Sequence, residues 1–335
     1  MSQVRHITLV RRPVGVPEPG DFALTEGDMP EPGAGEMLVR MRVCSLDPAI
    51  RGFLDDRPSY LSPVALGAPI NGMSLGEVIT SDNPAFPVGT MVRAFATWSD
   101  HYVIGPDALG LEIVRPSPGV PLEHYMGALG PVGLTAWVGL NVIGEAKPGE
   151  TVLVSAAAGA TGSAAGQIAR ISGCRVVGLV GSDDKAEVVR QLGFDEVINY
   201  RTAPDLAEAI AAAAPEGIDV YFDNVGGEML EAILPLMRLH GRVAMCGMIG
   251  QYNDADHPHG IKTLWQLVVK RLQMRGFLTY DHPEVLDQAQ ADLDQWVASG
   301  ELKPLANVRH GFEKLPEAFI DLMSGRTTGK TLVTI

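Results

Sequence analysis

Cysteine is scarce in this chain of 335 residues, which contains only Cys44, Cys174 and Cys246. An odd number of widely spaced cysteines offers no disulfide framework and suits a reducing compartment. Residues 1–16 also lack the apolar segment of a secretory signal peptide. We therefore expect a cytoplasmic protein.

Long apolar runs and an excess of positive charge are missing as well. No run of about 18 apolar residues occurs, so the sequence predicts no transmembrane helix. The net charge is -14, from 26 basic and 40 acidic residues, and such a chain is repelled by nucleic acids and anionic lipid surfaces. We expect neither a nucleic-acid partner nor a membrane partner.

Two kinds of sequence pattern divide the chain. Residues 1–125 are rich in Gly and Pro, and their short β-type segments predict a barrel-like β-domain; examples are 37–44, 74–81 and 90–96. From residue 151 onward, apolar strands alternate with helical segments, which predicts an α/β domain with a doubly wound parallel sheet. The predicted strands are 151–156, 175–180, 196–199, 219–223, 242–245 and 273–278, and the helices include 162–172, 183–192 and 283–299. A strand-like tail at 331–335 is expected to return to the first domain.

A turn rich in small residues follows the first of these strands. The sequence there reads VSAAAGATGSAAGQIAR, and Ala157, Gly159 and Gly162 occupy the three small positions of the dinucleotide-binding fingerprint. Small residues allow a tight turn, so that the N–H groups at the start of the next helix, including Ala160 and Thr161, can face a diphosphate. The alternative is an ordinary helix start, but the strands on both sides favour a dinucleotide site.

The end of the second strand of this domain distinguishes NAD from NADP(H). An NAD site has Asp or Glu about 20 residues beyond the turn, where it binds the ribose hydroxyls. Here Gly181 and Ser182 leave room for a 2′-phosphate, and Lys185 can neutralise its charge. Asp183 and Asp184 are expected to cap the next helix instead. Lys185 could also be a solvated lysine in the first helical turn, but the missing acid favours NADP(H).

Motifs along nearly the whole chain resemble a known family. They are CSLDPAIR (44–51), GPVGLTAWVGL (130–140), the turn at 154–170, GSDDK (181–185), LGFDEVINY (192–200), DVYFDNVGGEML (219–230), GRVAMCGMIGQYND (241–254), RGFL (275–278) and TGKTLV (328–333). The chain resembles the zinc-independent medium-chain dehydrogenases/reductases, and among them the NADP-dependent 2-alkenal, curcumin and prostaglandin reductases. This resemblance implies a GroES-like β-barrel catalytic domain, residues 1–125 and 303–335, with an inserted Rossmann NADP-binding domain, residues 126–302. It also implies a homodimer.

The resemblance further implies which residues surround the cofactor. Around the adenosine 2′-phosphate they are Gly181, Ser182, Lys185 and Tyr200, and towards the nicotinamide they are Thr135, Asn224, Cys246, Gly247, Tyr252, Phe277 and Leu278. Tyr252 is the candidate catalytic residue. Tyr200 could equally be an aromatic residue packed at a strand end, and Tyr252 an ordinary loop aromatic. One position departs from the family pattern, because Thr327 stands where relatives often have Asn.

No metal site is expected. Cys44 matches the first ligand position of zinc-containing relatives, but residues 72–77 hold no His for the next ligand, and no four close cysteines offer a structural site. Cys44 is therefore expected to be a small buried residue. His257 and His259 lie among Pro, Gly and Asp, which predicts a solvated turn.

The activity that the resemblance implies is NADPH-dependent reduction of the carbon–carbon double bond of α,β-unsaturated aldehydes and ketones (enals and enones). Hydride passes to the β-carbon, and a proton from Tyr252 or water reaches the α-carbon. Tyr252 or a ribose hydroxyl of the cofactor stabilises the charge on the carbonyl oxygen. Two alternatives stay open, namely an NADPH-dependent quinone reductase and a non-catalytic NADPH-binding protein of the crystallin type.

Overall fold

The structure is a computed structural model that describes residues 3–57, 61–254 and 256–335. Its strands are β1 (Gln3–Leu9), β2 (Phe22–Asp28), β3 (Met37–Ser45), β4 (Asn71–Ser81), β5 (Met91–Thr97), β6 (His101–Ile104), β7 (Glu112–Val114), β8 (Thr151–Val154), β9 (Arg175–Val180), β10 (Glu196–Asn199), β11 (Ile218–Asp223), β12 (Met237–Met245), β13 (Gln273–Gly276), β14 (Ala306–His310) and β15 (Lys330–Thr334). Its α-helices are α1 (Ile50–Phe53), α2 (Pro131–Val138), α3 (Ala160–Ile171), α4 (Asp183–Gln191), α5 (Leu206–Ala213), α6 (Gly227–Ile233), α7 (Trp265–Lys270), α8 (Pro283–Ser299) and α9 (Leu315–Met323). Within the described ranges, no helix combines the length and the apolar character that crossing a membrane requires.

The first of two compact units consists of Met1–Met126 and Ala306–Ile335. Its main sheet has the order β14-β15-β3-β4-β5-β7, with β6 also pairing β3, and β1 and β2 form a separate hairpin. Strand β15 runs antiparallel to β3 and places Val333 opposite Cys44, so the tail of the chain joins the N-terminal strands. The buried rings of Trp98 and Phe319 meet edge to face in its core, with centroids 5.8 Å apart. This unit is the β-rich domain that the sequence predicts.

The second unit, Gly127–Leu305, is built on a six-stranded sheet of order β10-β9-β8-β11-β12-β13. Every pair of neighbouring strands is parallel. All residues of β8 and β11 are buried, because these apolar strands are covered on both faces of the sheet. Helix α3 packs on β8 and β9, while Ile210 of α5 and Leu230 of α6 join a core cluster with Leu153. The predicted doubly wound parallel sheet is confirmed.

The strand order of this sheet reverses at its centre. From β8 the chain continues to β9 and β10 on one side, and from β11 it continues to β12 and β13 on the other. In such sheets the ligand crevice lies at the carboxyl ends of the two central strands. Strand β8 ends at Val154 and β11 ends at Asp223, so the residues that follow these two positions border the crevice.

Candidate active site

The turn after β8 is tight because of its backbone conformation. Ala156 has φ +48°, in the left-handed region, and its carbonyl oxygen accepts a hydrogen bond of 2.8 Å from the Gly159 N–H. The Ala157 N–H donates to the Leu179 carbonyl of the neighbouring strand at 3.0 Å. The turn is therefore closed by one bond within itself and fixed to the sheet by the other, and α3 begins directly after Gly159.

Two of the fingerprint glycines stand where the backbone leaves no room for a side chain. A methyl group on Gly162 would lie 2.3 Å from the Ala156 carbonyl oxygen, and one on Gly159 would lie 3.0 Å from the same atom. The first N–H groups of α3, at Ala160, Thr161 and Gly162, have no acceptor within their own helix. A diphosphate requires a backbone that it can approach closely and N–H groups that are free of intrahelical acceptors. This turn therefore fits a dinucleotide.

Gly166, one helical turn further on, is packed against an aromatic ring. A methyl group there would lie 1.8 Å from Phe194 Cζ, and one on Gly178 of β9 would lie 2.9 Å from Phe194 Cδ1. The buried ring therefore fills the space between helix α3 and strand β9. The missing side chains allow helix, ring and strand to lie close together.

Four of the predicted residues converge at the end of β9. Ser182 caps α4 by accepting a hydrogen bond from the Lys185 N–H at 3.4 Å. A methyl group on Gly181 would lie 2.8 Å from the Tyr200 hydroxyl, so this hydroxyl lies next to the Gly181 Cα. The Tyr200 ring also packs against the sheet core, as the alternative interpretation expects. Asp183 and Asp184 are exposed in the first turn of α4.

A second cation, Arg201, lies beside Lys185 and was missed by the sequence interpretation. Burial lowers the pKa of Lys185, and the positive charge of Arg201 lowers that pKa further. The Arg201 Nε would lie 3.4 Å from a methyl group on Gly181. Two cations and a half-exposed glycine at one strand end can accept a phosphate dianion. A basic residue two positions after the predicted strand 196–199 was the one local signal that pointed to Arg201.

Side chains join the two central strands at the crevice. The Asn224 amide Nδ2 donates to the Ser155 carbonyl at 2.7 Å, and the Asn224 N–H donates to Ser155 Oγ at 2.8 Å. The buried Asp223 carboxylate accepts from Ser155 Oγ at 3.1 Å and from the Tyr221 hydroxyl at 2.6 Å. These bonds fix Asn224 at the carboxyl end of β11, half-buried and next to the glycine turn.

The segment after β12 carries Cys246, Gly247 and Tyr252. The N–H groups of Cys246 and Gly247 donate to the Asp223 carbonyl at 2.8 and 3.1 Å. The Tyr252 hydroxyl oxygen accepts from the Met248 N–H at 3.1 Å, which leaves its own hydrogen available for another acceptor. Burial raises the pKa of Tyr252, and it raises the pKa of Cys246 to about 12, so both groups are neutral at physiological pH.

Three further predicted residues, Thr135, Phe277 and Leu278, lie near the end of β13. Thr135 Oγ1 donates to the Pro131 carbonyl within α2 at 2.7 Å and lies 3.0 Å from Thr279 Oγ1. Phe277 is half-buried, and a methyl group on Gly139 would lie 2.8 Å from its Cζ. Leu278 is exposed. Thr327 belongs to the first unit, where it is buried just before β15.

Three residues that the sequence analysis rejected as metal ligands are Cys44, His257 and His259. In the ranges that the structure covers, no three His, Cys, Asp or Glu side chains are grouped so as to hold a metal ion. Cys44 is fully buried, and burial raises the pKa of its thiol. His257 is exposed, as predicted, but His259 is half-buried and its Nε2 bonds to Glu231 Oε2 at 2.5 Å. The prediction of a solvated turn is therefore wrong for His259.

Comparison with known proteins places the chain in a family. A family model for the N-terminal domain of oxidoreductase matches residues 5–113, and one for zinc-binding dehydrogenase matches residues 160–295. Prostaglandin reductase 1 of Mus musculus is 39% identical, with 99% of each chain covered. NADPH-dependent curcumin reductase of Escherichia coli is 36% identical, over 99% of this chain and 96% of its own. The NADP(+)-dependent 2-alkenal reductase of Nicotiana tabacum is 38% identical, over 90% and 88%.

Solved structures agree with these relatives. CurA from Vibrio vulnificus in complex with NADPH is 38% identical and superposes with a TM-score of 0.92 over 98% of each chain. A quinone oxidoreductase of Pseudomonas syringae, 24% identical, shares the fold with a TM-score of 0.79 over 99% of this chain and 100% of its own. The chain therefore belongs to the zinc-independent, NADP-dependent medium-chain dehydrogenases/reductases that include the curcumin, 2-alkenal and prostaglandin reductases.

Proposed function

We propose that this protein uses NADPH to reduce the carbon–carbon double bond of enals and enones. The single structural observation that carries the NADPH part of the proposal is the pairing of the tight backbone turn at Gly162 with two cations, Lys185 and Arg201, at the next strand end. The curcumin, prostaglandin and 2-alkenal reductases, which match this chain over most of their length, support the same activity.

The cofactor would lie along the carboxyl edge of the parallel sheet. Its diphosphate would face the N–H groups at the start of α3, beside Ala157, Gly159 and Gly162. Ser182, Lys185, Tyr200 and Arg201 would hold the 2′-phosphate, with the half-exposed Gly181 giving the phosphate access. Towards the nicotinamide, the contacts would come from Thr135, Asn224, Cys246, Gly247, Phe277 and Leu278. When bound, NADPH supplies the hydride that is added to the β-carbon.

Tyr252 is the residue that we assign to the substrate carbonyl. Its hydroxyl oxygen already accepts a hydrogen bond from the Met248 N–H, so its hydrogen is free to be donated. Because burial raises its pKa, the phenol stays protonated at neutral pH and acts as a donor rather than a base. A donor aimed at the carbonyl oxygen stabilises the negative charge that develops there during hydride addition. The proton for the α-carbon would come from Tyr252 or from water.

The test is NADPH oxidation by the purified full-length chain with three separate substrate sets: enals and enones, dienones, and quinones. We expect turnover with the first two sets and reduction of the double bond, identified by mass spectrometry of the product. Turnover with quinones alone would replace the proposal with a quinone reductase. NADPH binding without turnover of any substrate would indicate a non-catalytic binding protein.

We also propose a homodimer formed through the second unit. Strand β13 lies at the edge of the parallel sheet, where its free hydrogen-bonding groups can pair with another strand. Helix α7 beside it exposes Trp265 by 67% and Val268 by 61%, which is an apolar surface suited to a second copy. We expect light scattering to give twice the chain mass, and Val268→Asp to shift it to the monomer. The three free thiols support the cytoplasmic location that we propose.

A further inference from the structure

The segment that carries Tyr252 is attached at two places, once to the residues that follow β11 and once to helix α6. We call the described residues between Cys246 and Leu264 the Tyr252 loop. At its near end, the Ile249 N–H donates to the Asn224 carbonyl and the Gly250 N–H donates to the Val225 carbonyl, each at 3.1 Å. These bonds fix the first residues of the loop to the end of β11, but they lie before Tyr252.

The far end of the Tyr252 loop is attached to helix α6 mainly through Glu231. Its carboxylate Oε2 accepts from His259 Nε2 at 2.5 Å and from the Lys262 N–H at 3.4 Å. Its carbonyl oxygen accepts from Thr263 Oγ1 at 2.8 Å. Within the loop, Gln251 Nε2 donates to the His259 carbonyl at 3.3 Å, so a shift of His259 would be passed to the neighbour of Tyr252.

Packing supports this attachment on one side only. Ile261 of the loop packs against the core cluster that includes Leu230 and Ile233. On the other side, an open groove of about 460 Å³ is lined by Glu228, Glu231, Ala232, Pro235, His259 and Thr263 among others. Along this groove the loop is held by the polar contacts of Glu231. The hydrogen bond from His259 lowers the pKa of Glu231, which keeps the carboxylate ionised at neutral pH.

We infer that Glu231 and His259 are positioning residues, which tether the far end of the Tyr252 loop and so keep the Tyr252 hydroxyl at the place where a substrate carbonyl binds. The consequence for catalysis rests on the proposed function, whereas the tether itself rests on the contacts between α6 and the loop. Loss of either partner increases the population of conformations in which the loop is detached and Tyr252 is misplaced.

The tether is tested by hydrogen–deuterium exchange on the full-length protein in the presence of NADPH. Glu231→Ala, His259→Ala and the double variant should each speed exchange of loop amides about tenfold, as expected for loss of one charge-assisted hydrogen bond. The double variant should show no greater effect than either single one. Glu228→Ala is the matched control, because its carboxylate lies on the same helix but 4.0 Å from His259 Nδ1. Exchange in α3 should stay unchanged in all variants.

The effect of the tether on catalysis is measured separately, by steady-state kinetics. With an enone, kcat should fall by about the same factor in Glu231→Ala while KM for NADPH stays constant, and Glu231→Gln, which keeps an acceptor for His259, should recover most of the loss. Unchanged loop exchange in both single alanine variants, or an equal effect of Glu228→Ala, would overturn the tether. If loop exchange changes as expected but no enone is reduced, the tether stands and the proposed activity is the part that fails.

Discussion

The phosphate turn after β8 and the Tyr252 loop after β12 both follow strands of the same parallel sheet, yet they are built differently. In the turn, Ala157 and Ala158 are buried, and the closest neighbours of Gly162 are backbone atoms. The Tyr252 loop exposes Met248, borders an open groove and is held at its far end by side chains such as Glu231 and His259. The turn is shaped by main-chain atoms, whereas the far end of the loop depends on replaceable side chains.

This difference follows from what each region has to bind. A diphosphate presents the same charged oxygens in every reaction, so fixed backbone N–H groups recognise it best. A substrate pocket must match a particular carbonyl compound, and side chains on a loop can be exchanged without disturbing the sheet. The comparison implies that equal substitutions have very unequal effects in the two regions.

The largest effect is expected for the smallest substitution, Gly162→Ala. The added methyl group would lie 2.3 Å from the Ala156 carbonyl, so the turn has to shift and its N–H groups lose their alignment. We expect the free energy of unfolding to fall by about 2 kcal/mol and the Kd for NADPH to rise by about a hundredfold or more. Denaturant unfolding and fluorescence titration measure the two quantities.

Gly260→Ala in the Tyr252 loop is the matched substitution. No atom of the described residues lies within 4 Å of the added methyl group, so stability and NADPH affinity should stay near those of the unchanged protein. Equal effects of the two substitutions would contradict the comparison.

Tyr252→Phe should act on the rate and leave cofactor binding intact. Removal of one donor to the carbonyl oxygen is expected to lower kcat by roughly tenfold to a hundredfold. Because the pKa of Tyr252 is raised and the protonated form is the active one, the rate should be constant up to about pH 10 and fall only above it. The variant should lack that alkaline decline. Steady-state rates across this pH range are the measurement, and an unchanged kcat would remove Tyr252 from catalysis.

Lys185→Ala and Arg201→Ala test the adenosine end of the site. Each variant should raise KM for NADPH about tenfold, because a charge-assisted contact with the 2′-phosphate is lost. KM for NADH should stay the same in both, since NADH lacks that phosphate. Arg190→Ala is the control, because it removes an exposed cation from the last turn of α4, the helix that also carries Lys185. A rise in KM for NADH equal to that for NADPH would argue against a phosphate contact.

The smallest effect is expected for Cys246→Ala. Burial raises the pKa of this thiol to about 12, so only a minute fraction is thiolate at pH 8. We expect kcat to change less than about twofold, and the native protein to leave Cys246 unmodified by a disulfide reagent at that pH. Peptide mapping by mass spectrometry identifies the modified thiols. Rapid modification would show that this partly exposed thiol ionises far more readily than its raised pKa implies.

Much of the second unit could be predicted from local pattern. The predicted strands 175–180 and 196–199 coincide with β9 and β10, and helix 283–299 coincides with α8, which ends where Gly300 adopts φ +79°. Strand β12 begins at Met237, five residues before the predicted start, because its exposed residues up to His240 break the apolar pattern. Apolar runs and glycine stops are local signals, whereas an exposed strand end is specified by its partner strands.

The site shows the same division. The turn with Gly159 and Gly162 could be recognised because all its determinants lie within one short segment. Glu231 and His259 are 28 residues apart, and nothing near His259 in the sequence indicates a carboxylate partner. Arg201 lies beside Lys185 only because β10 pairs with β9 in the fold. Contacts that depend on the pairing of distant segments cannot be predicted from local motifs alone.

The ring of Phe194 determines how high α3 stands above the sheet. The ring lies between Gly166 and Gly178 with its Cζ end towards α3, so the size of this ring sets the distance of that helix from the sheet. Affinity for the diphosphate can therefore be adjusted from a position with no ligand contact, by changing the size of this spacer. A smaller aliphatic residue at 194 would lower the helix, and a larger ring would raise it, while every fingerprint glycine stays in place.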